Sequence, residues 1–293
     1  MKFSGVITAV ITPFRNGQID EAAFKSIIDF QFENGVSGIV PCGTTGESPT
    51  LSYAEHHRVV EMAVEFAAGR GEVIAGTGSN SADEAVDLTQ AAEKAGATGS
   101  LQVAPYYNKP SQEGLFQHFK KIADNTGLPI ILYSIPGRCG IEIGVDTTAR
   151  LSKACPNIVA MKEAGGSPER VSQLVEACGP NFDVLSGDDG LTLPFMSVGG
   201  TGVISVASNI IPGPMSELVS LALAGDFVGA RKVHQRYYRL LAAFLKLDVN
   251  PVPIKTAMAL KGFCTADLRL PLVGMAAEKE AELKAILQDL QLL

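Results

Sequence analysis

Short apolar runs alternate with longer amphipathic stretches along most of this chain. β-rich segments begin near Val6, Gly38, Val73, Ser100, Ile130, Ile158, Asp183 and Val203, at intervals of 20 to 35 residues. The stretches between them carry helix signals. Phe24, Ile27, Ile28 and Phe32 repeat at helical spacing and stop at Gly35. Ser52-Tyr53-Ala54-Glu55 and Ser81-Ala82-Asp83-Glu84 read as capping boxes, and Ser167-Pro168 places a proline at a first helical position. Eight strand-helix units predict an α/β fold of the (β/α)8 TIM-barrel type over residues 1–225. A doubly wound sheet would more often show a glycine-rich turn after its first strand, whereas here that strand runs into Thr12-Pro13-Phe14. From 226 to 293 the pattern changes to helices only: about 227–247, a second after Pro251-Val252-Pro253 and a third from Ala276, which together form a small C-terminal helical domain.

Composition narrows the function more than the fold. With 293 residues and 46% hydrophobic content the chain can bury one large core or two ordinary ones. A net charge of -7, without a Lys/Arg cluster, argues against nucleic acid and suits an enzyme of small molecules. Five cysteines without a CxxC pair suggest neither a disulfide framework nor a thiolate zinc site. The apolar run from Val6 breaks at Pro13, too short for a signal peptide or a membrane span, so the expected location is the cytoplasm.

The candidate chemistry centres on Pro156 to Ser167, where Ile158-Val159-Ala160-Met161 runs directly into Lys162. A lysine at the end of a buried strand loses solvation, which favours the neutral amine that attacks carbonyls; the plainer reading is a lysine turned outward into solvent. Barrel chemistry gathers at the C-terminal ends of the strands. There the chain offers Gly43-Thr44-Thr45-Gly46-Glu47-Ser48, Tyr106 and Tyr107, Tyr133, Arg138, Gly187-Asp188-Asp189 and Ile204-Ser205. The Gly-Thr-Thr-Gly turn can bring N–H groups and hydroxyls to a carboxylate, the tyrosines can carry protons, and Arg138 offers a planar fork to a second carboxylate. A metal-dependent reading from Asp188, Asp189 and Glu163 lacks a histidine cluster, because His56 and His57 are adjacent and splay by about 100° on a helix. No metal is therefore expected. The glycine run Val198 to Val203 reads as a helix end and tight turn rather than a phosphate site.

Taken in order, the segments Gly43 to Ser48, Tyr106 to Gly114, Tyr133 to Arg138 and Lys162-Glu163-Ala164 resemble those of the dihydrodipicolinate synthase family, and the similarity extends to Asn250-Pro251-Val252-Pro253-Ile254-Lys255. The resemblance implies condensation of pyruvate with L-aspartate 4-semialdehyde on the route to lysine, with no metal or organic cofactor. Carried over by position, Lys162 forms the Schiff base, Tyr133 shuttles protons, and Thr45 connects it to a Tyr107 from the adjoining subunit. Thr44, Thr45, Gly187 and Ile204 surround the substrates, and Arg138 holds the aldehyde's carboxylate. The family is usually a homotetramer built from two tight dimers. Ser48, Tyr53, His56, Asn80, Glu84 and Tyr106 match an L-lysine effector pocket, although many family members carry histidine at the place of Tyr53 and a small residue at that of Pro49. N-acetylneuraminate lyase and 2-keto-3-deoxy sugar-acid aldolases share the lysine and the strand-five tyrosine, but the sialic acid lyases lack an arginine matching Arg138. A ligand-binding barrel with an inert Lys162 is a further alternative.

Overall fold

The computed structural model describes residues 2–293. Eight parallel strands form a closed barrel: β1 (Gly5–Ala9), β2 (Gly38–Val40), β3 (Glu72–Gly76), β4 (Gly99–Val103), β5 (Ile130–Ser134), β6 (Ile158–Glu163), β7 (Asp183–Ser186) and β8 (Gly202–Ser205). Each pairs with its sequence neighbours, and β1 closes on β8 from Gly5↔Gly202 to Thr8↔Ser205. The seam requires two bare glycines. Gly5 has φ +84, and a Cβ on Gly202 would lie 2.1 Å from the Gly5 carbonyl oxygen.

The strand period of two decides what fills the barrel. Ile131, Tyr133, Ala160, Leu185 and Ile204 point inward and form one cluster with Ile7, Ile74 and Leu101. Their neighbours Ile130, Leu132, Met161 and Val184 point outward, against the helices. Both faces are dry, so these strands read as unbroken apolar runs.

Helices α1 (Glu21–Glu33), α2 (Tyr53–Ala67), α3 (Ala82–Ala95), α4 (Gln112–Ala123), α5 (Pro136–Cys139), α6 (Val145–Ala154), α7 (Pro168–Cys178), α8 (Thr192–Met196) and α9 (Pro212–Leu223) follow the strands. Ser52 caps α2 with both arms of the predicted box. At α3 only one arm forms: Ser81 Oγ accepts from the Glu84 N–H, while the Glu84 carboxylate is taken by the Ser79 hydroxyl at 2.5 Å. Three helices then complete the chain, α10 (Phe227–Lys246), α11 (Val252–Leu260) and α12 (Ala277–Asp289). Leu240, Phe244, Ile254 and Leu283 from these helices share one hydrophobic cluster with Val6 of β1, Val203 of β8 and Met215 of α9. Truncating a side chain such as Phe244 in that cluster costs about 3–5 kcal/mol. Among the described residues no helix is long and apolar enough to cross a membrane.

Candidate active site

Inward alternation from Ala160 brings Lys162 to the top of β6, beside Tyr133 of β5 in the register of the sheet. Lys162 is 6% exposed, and its Nζ stands 4.1 Å from the centroid of the Tyr133 ring. Among the described residues no carboxylate lies within ion-pair distance of it. Burial lowers its pKa to about 8, opposed by the field of Asp189 and assisted by that of Arg138. Gly187 leaves the room this side chain needs, since a Cβ there would meet Lys162 Cε at 3.1 Å and Ala164 Cβ at 2.7 Å. Ile204 is buried in the barrel interior with the other inward residues.

Burial pushes the Tyr133 phenol well up, against the pull of Arg138 and of a hydrogen bond with Thr44. The phenol therefore holds its proton at neutral pH and can donate it. Asp189 is 3% exposed and pushed up to about 6 by burial, although it accepts from the Ser205 hydroxyl (2.5 Å) and the N–H groups of Val206 and Ala207 (3.0 and 2.9 Å). Glu163 faces away from the barrel interior, bonded to Arg170 Nε at 2.8 Å and the Gly165 N–H at 2.5 Å. Asp188 accepts from the Gly190 N–H at 2.8 Å. These carboxylates are thus engaged separately rather than gathered.

The turn after β2 separates its two threonines. Thr44 lines the cavity and reaches Tyr133. Thr45 is 2% exposed and turns away, its Oγ accepting from Asn250 Nδ2 at 3.1 Å. This corrects the expectation that Thr45 connects to Tyr133. Consecutive side chains in so tight a turn diverge, and here Thr44 takes the inner direction. Glu47, with φ +54, carries the turn into the C-terminal helices: its Oε1 pairs with Lys255 Nζ at 2.5 Å and its Oε2 accepts from the Arg269 N–H at 3.0 Å. Arg138, on α5, lines the cavity and donates from Nη2 to the Asn250 carbonyl at 3.0 Å.

A cavity of about 560 Å³ joins Thr44, Tyr133 and Arg138 to Ser48, Tyr53, His56, Glu84 and Tyr106. The His56 Nε2 lies 2.8 Å from the Gly76 carbonyl, which can only accept. Its ring is lowered by desolvation, so the buried and unpartnered Nδ1 is left as an acceptor. The nearby Glu84 carboxylate raises the Tyr53 phenol. Asn80 does not line the cavity; it holds the Tyr106 carbonyl at 3.1 Å. Tyr107 is not gathered with the others. It is 90% exposed at φ +72 in the loop after β4, so its side chain extends away from this chain's own site.

Sequence reasoning passed over Asn250, Glu47 and Lys255 as site-supporting residues. A signal existed for one of them: Lys255 is the one charged residue in the mostly apolar run Val252 to Leu260.

A profile of the dihydrodipicolinate synthetase family matches residues 2–290. The 4-hydroxy-tetrahydrodipicolinate synthase of Persephonella marina is 51% identical over 288 residues, covering 98% of each chain. The structure of the 4-hydroxy-tetrahydrodipicolinate synthase from Methylacidiphilum fumariolicum SolV superposes with TM-score 0.97 at 53% identity, covering 99% of this chain and 96% of that one. The crystal structure of the enzyme from Cyanidioschyzon merolae with lysine bound gives TM-score 0.97 at 41% identity, over 100% and 99% of the two chains. A dry lysine beside a protonated tyrosine, on a barrel matched from end to end, places this chain in the dihydrodipicolinate synthetase family.

Proposed function

We propose that this chain condenses pyruvate with L-aspartate 4-semialdehyde to give 4-hydroxy-tetrahydrodipicolinate. The observation that carries the reading is Lys162, buried without an ion-pair partner and lowered to about 8. Its amine attacks the pyruvate carbonyl, and water leaves to form an imine. The protonated imine draws electrons, so a methyl proton is lost and an enamine forms. The enamine carbon bonds to the aldehyde carbon, whose oxygen takes a proton and becomes a hydroxyl. The substrate's own amine then attacks the imine carbon, closing a six-membered ring and releasing Lys162. Tyr133, which shares the cavity wall with Thr44, carries these protons. Arg138 takes the carboxylate of the aldehyde substrate, and Gly187 and Ile204 shape the pyruvate end. This reaction consumes no external cofactor. Incubation with pyruvate and borohydride tests the reading: one reduced pyruvate adduct is expected on the peptide containing Lys162, and an unchanged mass would refute it.

Three finer points belong to the same proposal. Tyr107, 90% exposed, reaches into a neighbouring subunit of a cytoplasmic homotetramer made of two tight dimers. The barrel of residues 1–225 carries the chemistry, and the helices of 226–293 support it. L-lysine acts as an effector at Ser48, Tyr53, His56, Glu84 and Tyr106, with Asn80 holding Tyr106 from outside the cavity, and there Glu84 offers a carboxylate and His56 Nδ1 an acceptor to its ammonium groups. Because the Ser79 hydroxyl already occupies Glu84, inhibition is expected to be partial. Calorimetric titration checks this: lysine should release heat with the wild type and none with Glu84→Thr.

A further inference from the structure

Asn250 lies between α10 and α11, far along the chain from the barrel strands, yet it bonds both the turn after β2 that carries Thr44 and Arg138 of the cavity wall. Its side-chain N–H donates to Thr45 Oγ at 3.1 Å, across 205 residues of sequence, and its carbonyl accepts from Arg138 Nη2 at 3.0 Å. The residue is 8% exposed, and its Oδ1 is buried with no partner. An unpartnered buried acceptor is destabilising, so an apolar side chain would serve stability better at this place. The bond to Thr45 is that amide's other contact, and among the described residues it is also the hydrogen bond that holds the Thr45 side chain.

We propose that Asn250 is a positioning residue of the reaction: its amide holds the Thr44-Thr45 turn so that Thr44 stays against Tyr133, while its main-chain carbonyl holds Arg138. Thr44 and Thr45 share one peptide, so a rotation released at Thr45 carries Thr44 away from the phenol. The proposal rests on the reading that Tyr133 moves protons at the Lys162 imine. Removing the amide would therefore slow proton transfer and leave imine formation and Arg138 in place, because an alanine keeps the backbone carbonyl.

The test compares wild type, Asn250→Ala, Thr45→Val and the double variant as full chains. Imine formation is read by borohydride trapping of pyruvate, and proton transfer by exchange of the pyruvate methyl protons into D₂O followed by NMR. Each single variant is expected to trap pyruvate as the wild type does but to exchange roughly tenfold to a hundredfold more slowly. The double variant should be no slower than the slower single, since both changes break one bond. The KM for the aldehyde should stay within about twofold, because the Arg138 anchor is main chain. Exchange within twofold of wild type in Asn250→Ala would overturn the proposal, as would additive losses in the double variant. A parallel fall in trapping, exchange and melting temperature would reduce Asn250 to a structural role and overturn it equally. A wild type that traps no pyruvate would remove the functional reading beneath it, whereas trapping with unaffected exchange in the variant would sink Asn250 alone.

Discussion

Lys162 and Lys255 are both buried, 6% and 0% exposed, and burial lowers the pKa of both, but their surroundings assign them opposite work. Lys255 donates to Glu47 Oε1 at 2.5 Å and to the Asp267 carbonyl at 2.7 Å, and it lies 4.2 Å from the centre of the Phe14 ring. Its donors are met as an ammonium's must be, and the Glu47 carboxylate opposes the loss of its proton. Lys162 has the face of Tyr133 and the more distant field of Asp189. Desolvation without a partner leaves its amine ready to lose a proton and attack a carbonyl. Burial alone, then, does not make a nucleophile; the missing counter-ion does. The clamp formed by Lys255 serves the site from a distance, because Glu47 belongs to the turn that carries Thr44.

The largest effect expected from breaking this contrast is at Lys162. Lys162→Met should lower turnover by several powers of ten and abolish trapping of pyruvate. It should not lower the melting temperature, since an uncompensated buried cation is removed with it. A scan that shows unfolding instead would make Lys162 a structural residue like Lys255. Lys255→Met should do the reverse in kind, costing about 3–5 kcal/mol in denaturant unfolding because Glu47 is left buried and unpaired. Adding Glu47→Gln to Lys255→Met should recover part of that loss.

A third cation refines the comparison. Arg138 is held through one hydrogen bond to a main-chain carbonyl, leaving the rest of its fork for a ligand. Arg138→Ala should raise the KM for aspartate semialdehyde by roughly tenfold to a hundredfold, as expected for a charge-assisted bond of about 1.5–3 kcal/mol, with little change for pyruvate. Equal effects on both substrates would make Arg138 a structural element.

The smallest effect is a pH dependence that separates the two lysines. With Lys162 at about 8, the free-amine fraction and hence the initial rate of trapping should rise as pH approaches 8 and level off above it. The stability sign follows from the same shift. Between about 8 and the unfolded value of 10.5 the unfolded chain binds the proton that the folded chain has lost, so the Lys162 contribution to stability increases with pH across that window. Urea midpoints measured from pH 7.5 to 10 should therefore differ in slope between wild type and Lys162→Met, and identical slopes would contradict the lowered value.

Much of this could be read along the chain. The eight strand starts and the helix signals at Phe24 to Phe32, Ser52 and Ser167 recur in the structure within a residue or two, because apolar spacing and caps are local properties. Lys162 and Tyr133 were legible for the same reason: each ends an apolar run, and period-two alternation turns both inward. The Ser81 box was only half right, because Ser79, which no capping pattern includes, reaches the Glu84 carboxylate first. Thr44 and Thr45 could not be told apart from their spacing, since a tight turn exposes one and hides the other according to what packs beneath it.

By itself, then, the sequence determined the barrel, the family and the place of Lys162 at the end of a buried strand, all of which depend on periodicity and on short motifs near strand ends. The tertiary structure alone decided which threonine meets Tyr133, that Asn250 joins the turn to Arg138, and that Lys255 neutralises Glu47. Those contacts span 205 and 208 residues for Thr45–Asn250 and Glu47–Lys255. No local pattern constrains such pairs, because they exist only once the C-terminal helices have docked against the barrel and excluded water from the space between.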